Sequence, residues 1–285
     1  MKKAHNPNSF FSNETLFWSV LLLLCFFTSC KDDIEGCKDI NASNWNASAD
    51  SSCEDCCIYP ELKLNISHAY GNTTFRYREP YKDVALNVFT VLSIRYYLSD
   101  FSLTTDMETY VVTDSLETTT IVDGVVSENT AIHDDASFVT VGTSTTSLGD
   151  FPSNNLFLDS LSFYLGLSQP LNSVDPGSVP NSHPLAPKAD SMYWDESRGY
   201  IFQRLAIIPD TAVADTLILE IGGDDLLRKI TLAYGKTTLT GFDQNISIKI
   251  DYKCWFTGIN FAMDREDVLK EKIVSNMSKS FSISE

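Results

Sequence analysis

Basic residues and histidines are scarce in this sequence of 285 residues. It has 21 Lys and Arg against 38 Asp and Glu, which gives a formal net charge of −17, and it has only four His. Nucleic acid offers phosphates that bind to a basic surface, so this balance argues against a nucleic-acid partner. Acidity of this kind mostly reflects solubility and does not by itself identify another partner.

Catalytic signatures are also missing. The sequence has no Gly-x-Ser-x-Gly, no His-Glu-x-x-His and no dinucleotide-binding loop. The stretch Gly222 to Asp225 follows a predicted strand but lacks the Lys of a phosphate-binding loop, so we expect a hairpin turn there. Pairs of carboxylates carry no information on acid–base catalysis when 38 acidic residues are present. We therefore expect a protein that is not an enzyme.

Long apolar runs are absent apart from one at the N terminus, from Leu16 to Phe27. It is shorter than the roughly 20 residues that a membrane-spanning helix needs. It follows a basic start at Lys2 and Lys3, and together they match a signal peptide. Any membrane anchor is therefore expected to be a lipid.

The end of this run resembles a bacterial lipobox. Small residues precede Cys30 in the stretch from Phe27, and in lipoproteins this Cys is diacylated and becomes the new N terminus. The next three residues, Lys31 to Asp33, resemble the export signal of surface lipoproteins in the Bacteroidetes. We predict that residues 1–29 are removed and that Cys30 anchors the protein in the outer membrane, exposed at the cell surface. A periplasm-facing lipoprotein and an ordinary secretory signal cut nearby are the alternatives.

The cysteines that remain are clustered. Cys37, Cys53, Cys56 and Cys57 lie close together, whereas Cys254 is far from them. In an oxidising compartment such clustering predicts disulfides. A bridge between the adjacent Cys56 and Cys57 would be strained, so we expect Cys37 and Cys53 each to pair with one of these two. A zinc site is the rival, because Cys53-x-x-Cys56 has ligand spacing.

Residues 30–60 form an anchor and linker module that precedes the main domain. The module resembles short Gly-Cys-x-Asp and Cys-x-Tyr-Pro segments of Bacteroidetes surface proteins. Its oxygen-bearing side chains suit Ca²⁺. Alternatively, they cap turns through neighbouring backbone groups. They are Asp39, Asn41, Asn44, Asn46 and Asp50.

Residues 61–285 have the pattern of an all-β domain. Hydrophobic residues make up 43% of the chain and aromatics 12%, enough for a sizeable core. Gly, Pro, Asn and Asp separate the strand-like segments. Many short strands without interleaved helices predict an antiparallel β-sandwich, with a barrel as the alternative. The predicted strands are Leu62–His68, Val84–Leu103, Tyr110–Val112, Ser137–Val141, Leu156–Leu167, Tyr200–Ile208, Thr216–Ile221, Lys229–Ala233 and Asn245–Tyr252.

Two segments depart from this pattern. Residues 168–199 are rich in Pro and have little periodicity, which indicates a long loop that is functional or mobile. Residues 264–280 are predicted to form a C-terminal helix, with Asp264 as the N-cap. Its apolar stripe, packed on the sandwich, consists of Val268, Leu269, Ile273 and Met277.

Several blocks of the sequence, in order, resemble the MbnP-like domain family, which is named for a periplasmic protein associated with methanobactin copper uptake. The resemblance covers roughly residues 62–282. The most specific features are Tyr-Tyr-x-Ser followed by Met-x-Trp and Gly-Tyr. The blocks are Leu64–His68 with Gly71, Leu86 and Phe89 leading to Tyr96–Asp100, Leu161–Leu167, Met192–Trp194, Gly199–Phe202, Leu219–Gly223 with Arg228, Trp255–Gly258 and Asn276–Phe281.

The resemblance implies an extracytoplasmic β-sandwich that binds copper, in some members through His ligands and a tryptophan oxidised by a di-haem partner. His68 matches the His of the first motif, and imidazole is a suitable copper ligand. The second His position is occupied here by Glu220, which shifts the preference of the site towards harder ions. The Trp-x-Trp pattern is also broken, because Glu196 follows Trp194, so we expect Trp194 to pack in the core.

Two hypotheses follow from these departures. The first is a surface-anchored lipoprotein that binds a metal, copper above all, through His68 and Glu220. A di-haem peroxidase-like partner would favour copper, whereas an outer-membrane receptor as partner would favour transport or assembly. The second is a non-enzymatic interaction or assembly module that kept the fold and lost the metal.

Overall fold

The computed structural model describes residues 33–53, 55–151, 154–187, 192–210, 212 and 215–284. The predicted signal peptide and the predicted lipidation site at Cys30 lie outside the described residues, as do Lys31 and Asp32. Strands dominate the described part of the chain, and one longer helix lies near the C terminus. The strands are β1 (Glu35–Gly36), β2 (Ser51–Ser52), β3 (Glu61–Tyr70), β4 (Thr73–Thr74), β5 (Pro80–Lys82), β6 (Val88–Thr104), β7 (Thr109–Val111), β8 (Ser115–Val122), β9 (Val125–His133), β10 (Ser137–Thr140), β11 (Thr145–Asp150), β12 (Phe157–Leu165), β13 (Tyr193–Asp195), β14 (Gly199–Tyr200), β15 (Gln203–Ile208), β16 (Leu217–Ile221), β17 (Arg228–Thr237), β18 (Gln244–Asp251) and β19 (Phe281–Ile283). The α-helices are α1 (Tyr252–Trp255) and α2 (Glu266–Met277), and 3-10 turns occupy Leu171–Ser173, Pro176–Ser178 and Asp224–Leu226.

Two sheets enclose the main core. The larger runs in the order β16-β15-β6-β12-β17, with β5, β7 and β10 also paired to the long β6. The smaller runs in the order β11-β3-β18-β19, with β4 beside β3. Within these two sheets the described strand pairs are antiparallel, except that β3 and β18 are parallel. The predicted all-β sandwich with a C-terminal helix is confirmed.

Alternation of apolar and polar residues places the core between the sheets. In β3 the buried residues are Leu62, Leu64 and Ile66, and in β18 they are Ile246, Ile248 and Ile250. Side chains two apart on a strand point to the same face, so each strand presents one apolar row to the other sheet.

Residues 168–187 and 192–199 form a largely irregular segment, as predicted, and a functional or mobile role for it stays a prediction. They hold two 3-10 turns and β13, and they bury apolar side chains against β6 in a second, smaller core. Their lack of periodicity reflects short turns, not a lack of packing. The buried members from this segment are Leu171, Val174, Val179, Leu185, Ala186 and Met192.

Two local predictions were wrong. The segment Gly222 to Asp225 is not a hairpin turn, because β16 and β17 lie at opposite ends of the larger sheet and a 3-10 turn joins them. Helix α2 begins at Glu266, and Asp264 does not cap it. The Asp264 carboxylate instead accepts hydrogen bonds from the Asn260 backbone N–H and from Lys272 Nζ. The helix buries Leu269, Ile273, Val274 and Met277, whereas Val268 is only half-buried.

The module before the sandwich is held by disulfides. Cys37 pairs with Cys57 and Cys53 with Cys56, as the clustering predicted, and Cys254 is a free, half-buried thiol. Because Cys53 and Cys56 are bridged, they offer no thiolates to zinc.

Four oxygen-bearing side chains of the module accept hydrogen bonds from its backbone. Asp39 and Asn46 cap local turns, because each accepts from the N–H group two residues further on. Asn44 and Asp50 instead accept from Ile58 and Ile34, which are 14 and 16 residues away in sequence. Turn capping therefore holds for two of these residues, and calcium binding stays a prediction.

Candidate functional site

His68 lies near the end of β3, and both of its ring nitrogens have partners. Nε2 is 2.7 Å from the Thr143 carbonyl oxygen, which can only accept, so Nε2 carries the hydrogen. Nδ1 is 2.9 Å from the Tyr252 hydroxyl and therefore accepts its hydrogen. The Thr143 carbonyl thus orients the ring and leaves the Nδ1 lone pair directed at Tyr252.

Buried aromatic groups lie behind this histidine. Tyr252 stacks on the His68 ring at an interplanar angle of 6°, and its hydroxyl is 3.2 Å from that of Tyr96. Tyr96 and Tyr252 are both fully buried. Burial lowers the pKa of His68, against the hydrogen bond to Thr143, so the imidazole is kept neutral. A neutral imidazole is the form that binds metals.

Glu220 lies on the outer face of β16. Its neighbours Leu219 and Ile221 are fully buried, so its side chain points away from the core. Oε1 accepts a hydrogen bond of 3.1 Å from Arg204 Nε, and Arg204 is the cross-strand neighbour of Glu220 on β15. Burial raises the pKa of the carboxyl, but hydrogen bonds from Trp194 and Arg204 outweigh it and the pKa is lowered. Glu220 is therefore an ionised, ion-paired carboxylate.

Trp194 covers this carboxylate. Its Nε1–H donates to Glu220 Oε2 at 2.9 Å, and the Arg198 guanidinium lies 5.0 Å from the ring centroid. The indole packs directly over Gly222, where a Cβ atom would come within 2.8 Å of the ring. Trp194 was expected to pack in the core, but it is only half-buried and lies at the edge of the smaller core.

The structure does not bring His68 and Glu220 together. They lie in different sheets, His68 among the buried tyrosines and Glu220 on an outer face, and their contacts in the described chain share no residue. Sequence analysis also missed their partners. Arg204 could have been found as a basic residue alternating with the apolar residues of β15, but nothing local marks Thr143 or Tyr252 as neighbours of His68.

The comparisons with known proteins now bear on this arrangement. The MbnP family model matches residues 59–276, which is most of the chain and contains both His68 and Glu220. The chain belongs to the MbnP family. The match begins just before β3 and ends within α2, so the four bridged cysteines precede it and β19 follows it.

Structural similarity to one solved MbnP is low. MbnP from Methylosinus trichosporium is 12% identical, and the likeness covers 68% of this chain and 76% of that one with a TM-score of 0.42. A TM-score at this level gives no information about the site. No curated protein matches the sequence.

Proposed function

We propose that this chain is a lipid-anchored cell-envelope protein whose MbnP domain binds a metal ion, with copper as the preferred ion. The observation that carries the proposal is the orientation of His68. Its Nε2–H donates to the Thr143 carbonyl, the outer contact typical of metal-ligating histidines. The remaining nitrogen, Nδ1, would bind the ion in place of the Tyr252 hydroxyl.

His68 fits the role of a metal ligand, and Glu220 does not. His68 is neutral and oriented, and imidazole is a good copper ligand. Glu220 does not fit as the second ligand, because Arg204 and Trp194 already hold its carboxylate on the outer face. The proposed site therefore depends on His68 and not on Glu220.

The lipid anchor at Cys30 would keep this domain at the outer membrane, on the cell surface. Among the described residues, no helix combines the length and the apolar character needed to cross a membrane. The family resemblance adds a di-haem peroxidase-like protein as a proposed partner, and an outer-membrane receptor is the partner that would fit transport or assembly. Trp194 is the residue that a di-haem partner would approach, since it is half-exposed.

Calorimetric titration of the metal-free full chain, purified in detergent, with Cu²⁺ tests the metal proposal. The His68→Ala chain is expected to lose the heat of the tightest copper site, whereas Glu220→Gln keeps it. His183→Ala is the matched control, because His183 is engaged with Asp134 at 3.0 Å. Equal copper binding by the wild type and His68→Ala chains, or none by the wild type, would refute the role of His68.

The second candidate is a non-enzymatic interaction or assembly module, and the Arg204–Glu220–Trp194 contacts favour it. At the position of the family's second His, the Glu220 carboxylate forms a salt bridge with Arg204 and accepts a hydrogen bond from the Trp194 indole. Chemical cross-linking in intact cells separates the two functions. A partner captured equally by the wild type and His68→Ala chains, in a protein that binds no copper, would support the module.

A further inference from the structure

A second group of metal-ligand side chains lies away from His68. Asp100, His133 and Asp135 place one ligand atom each within 4.8 Å of one another. Asp100 lies within the long β6 with a positive φ of 51°, His133 ends β9, and Asp135 lies just before β10. The Asp100 backbone N–H donates to Asp135 Oδ1, so these two residues are adjacent.

The orientation of the His133 ring leaves Nδ1 available to bind an ion. Nε2 is 2.6 Å from the Val112 carbonyl oxygen, so Nε2 carries the hydrogen and the lone pair is on Nδ1. Nδ1 is 4.0 Å from Asp135 Oδ2, too far for a hydrogen bond. This is the arrangement in which the outer nitrogen of a metal-binding histidine donates to a carbonyl and the inner one binds the ion.

The Asp135 carboxylate is held in place by the backbone. It is buried, and its two oxygens accept hydrogen bonds from the Asp100 and Phe101 backbone N–H groups at 2.9 and 2.5 Å. A carboxylate oxygen has a second lone pair, so these bonds leave capacity for a cation. Asp135 is therefore preorganised.

Asp100 adds a second carboxylate with no cation beside it. Its side chain is half-buried and makes no hydrogen bond or salt bridge to any residue in the described ranges. Two neighbouring carboxylates in a partly buried place repel each other, and a divalent ion between them would remove that cost.

We propose that Asp100, His133 and Asp135 form a binding site for a borderline divalent ion, Zn²⁺ in particular. One imidazole and two carboxylates match the nitrogen and oxygen preferences of Zn²⁺ and neutralise its charge. Three protein ligands leave a coordination position for water or a partner group. The site shares no residue with the His68 site, so it goes beyond the proposed function and does not depend on it.

Titration of the metal-free full chain in detergent with Co²⁺ and Zn²⁺ tests this site. Co²⁺ bound to nitrogen and oxygen ligands gives visible absorption bands, and Zn²⁺ should displace it with loss of those bands. His133→Ala and Asp100→Asn are each expected to weaken Zn²⁺ binding at least tenfold. His183→Ala, which removes an imidazole bonded to the adjacent Asp134, is the matched control and should bind Zn²⁺ like the wild type.

The variants separate this site from the copper site. His68→Ala should retain the Co²⁺ spectrum, and the His133→Ala chain reports Cu²⁺ binding at His68 alone. Neither Asp100 nor His133 is fully buried, so both variants should fold, which circular dichroism checks. Absence of Co²⁺ bands in the wild type, or Zn²⁺ affinity unchanged in both His133→Ala and Asp100→Asn, would overturn the proposal.

Discussion

At the scale of single residues, Gly222 decides where Trp194 can lie. A Cβ atom at this position would come within 2.7 Å of the Tyr200 carbonyl oxygen and 2.8 Å of the Trp194 ring. Gly222→Ala should therefore push the indole away from β16 and break its hydrogen bond to Glu220. Overpacking of this kind costs about 1–3 kcal/mol of unfolding free energy. Urea denaturation and tryptophan fluorescence measure the two effects.

Gly142→Ala is the matched control for that change. A Cβ atom there meets only Thr140 Oγ1 at 3.5 Å, an ordinary contact. It should alter neither stability nor emission. If the two variants behaved alike, the packing of Trp194 on Gly222 would have no energetic role.

At the scale of elements, the disulfide module should respond to reduction on its own. The Cys37–Cys57 bridge spans 20 residues of sequence, and a loop of this size is stabilised by about 3 kcal/mol. The double variant Cys37→Ser, Cys57→Ser should speed hydrogen exchange in residues 33–60 and leave the sandwich strands protected. Hydrogen exchange with mass spectrometry is the measurement. Cys254→Ser is the control, and exchange spreading into β3 or β18 would contradict the independence of the module.

Strands with one buried and one exposed face could be predicted from the sequence, whereas mostly exposed strands could not. Strands such as β3 and β18 were found because one face is apolar and the other is not, a period that local sequence carries. The hairpin of β8 and β9 was missed because most of its residues are exposed, so its Thr-rich strands show little alternation. Strand β11 was missed for the same reason, since only Leu148 is buried within it.

The candidate site was harder to predict than the strands around it. The family resemblance singled out His68, Glu220 and Trp194, and the last two do meet. Whether His68 is near Glu220 depends on which strands share a sheet and which face each residue occupies. The partners of His68, Thr143 and Tyr252, are 75 and 184 residues away along the chain, beyond any local pattern.

At the scale of the whole molecule, we expect the proposed N-terminal signals to determine the location of the domain. Cys30→Ala should abolish labelling by a fatty-acid probe and release the protein from the membrane fraction. Replacing Lys31, Asp32 and Asp33 by Ala should leave the protein lipidated but protect it from protease added to whole cells. Immunoblots after protease treatment, with a periplasmic protein as the control for intact cells, make the measurement. Unchanged protease sensitivity of the triple variant would rule out the export signal.

The parallel pairing of β3 with β18 has a consequence for how the molecule is made. Strand β3 can pair early with β4 and β11, but its parallel neighbour β18 exists only when nearly the whole domain has been synthesised. The Glu61 N–H and the Asp243 carboxylate that it meets are 182 residues apart. Contacts this distant in sequence slow folding, because a long loop must close before they form. We therefore expect the half of the smaller sheet made by β18 and β19 to be completed last, after the strands that precede it in sequence have paired.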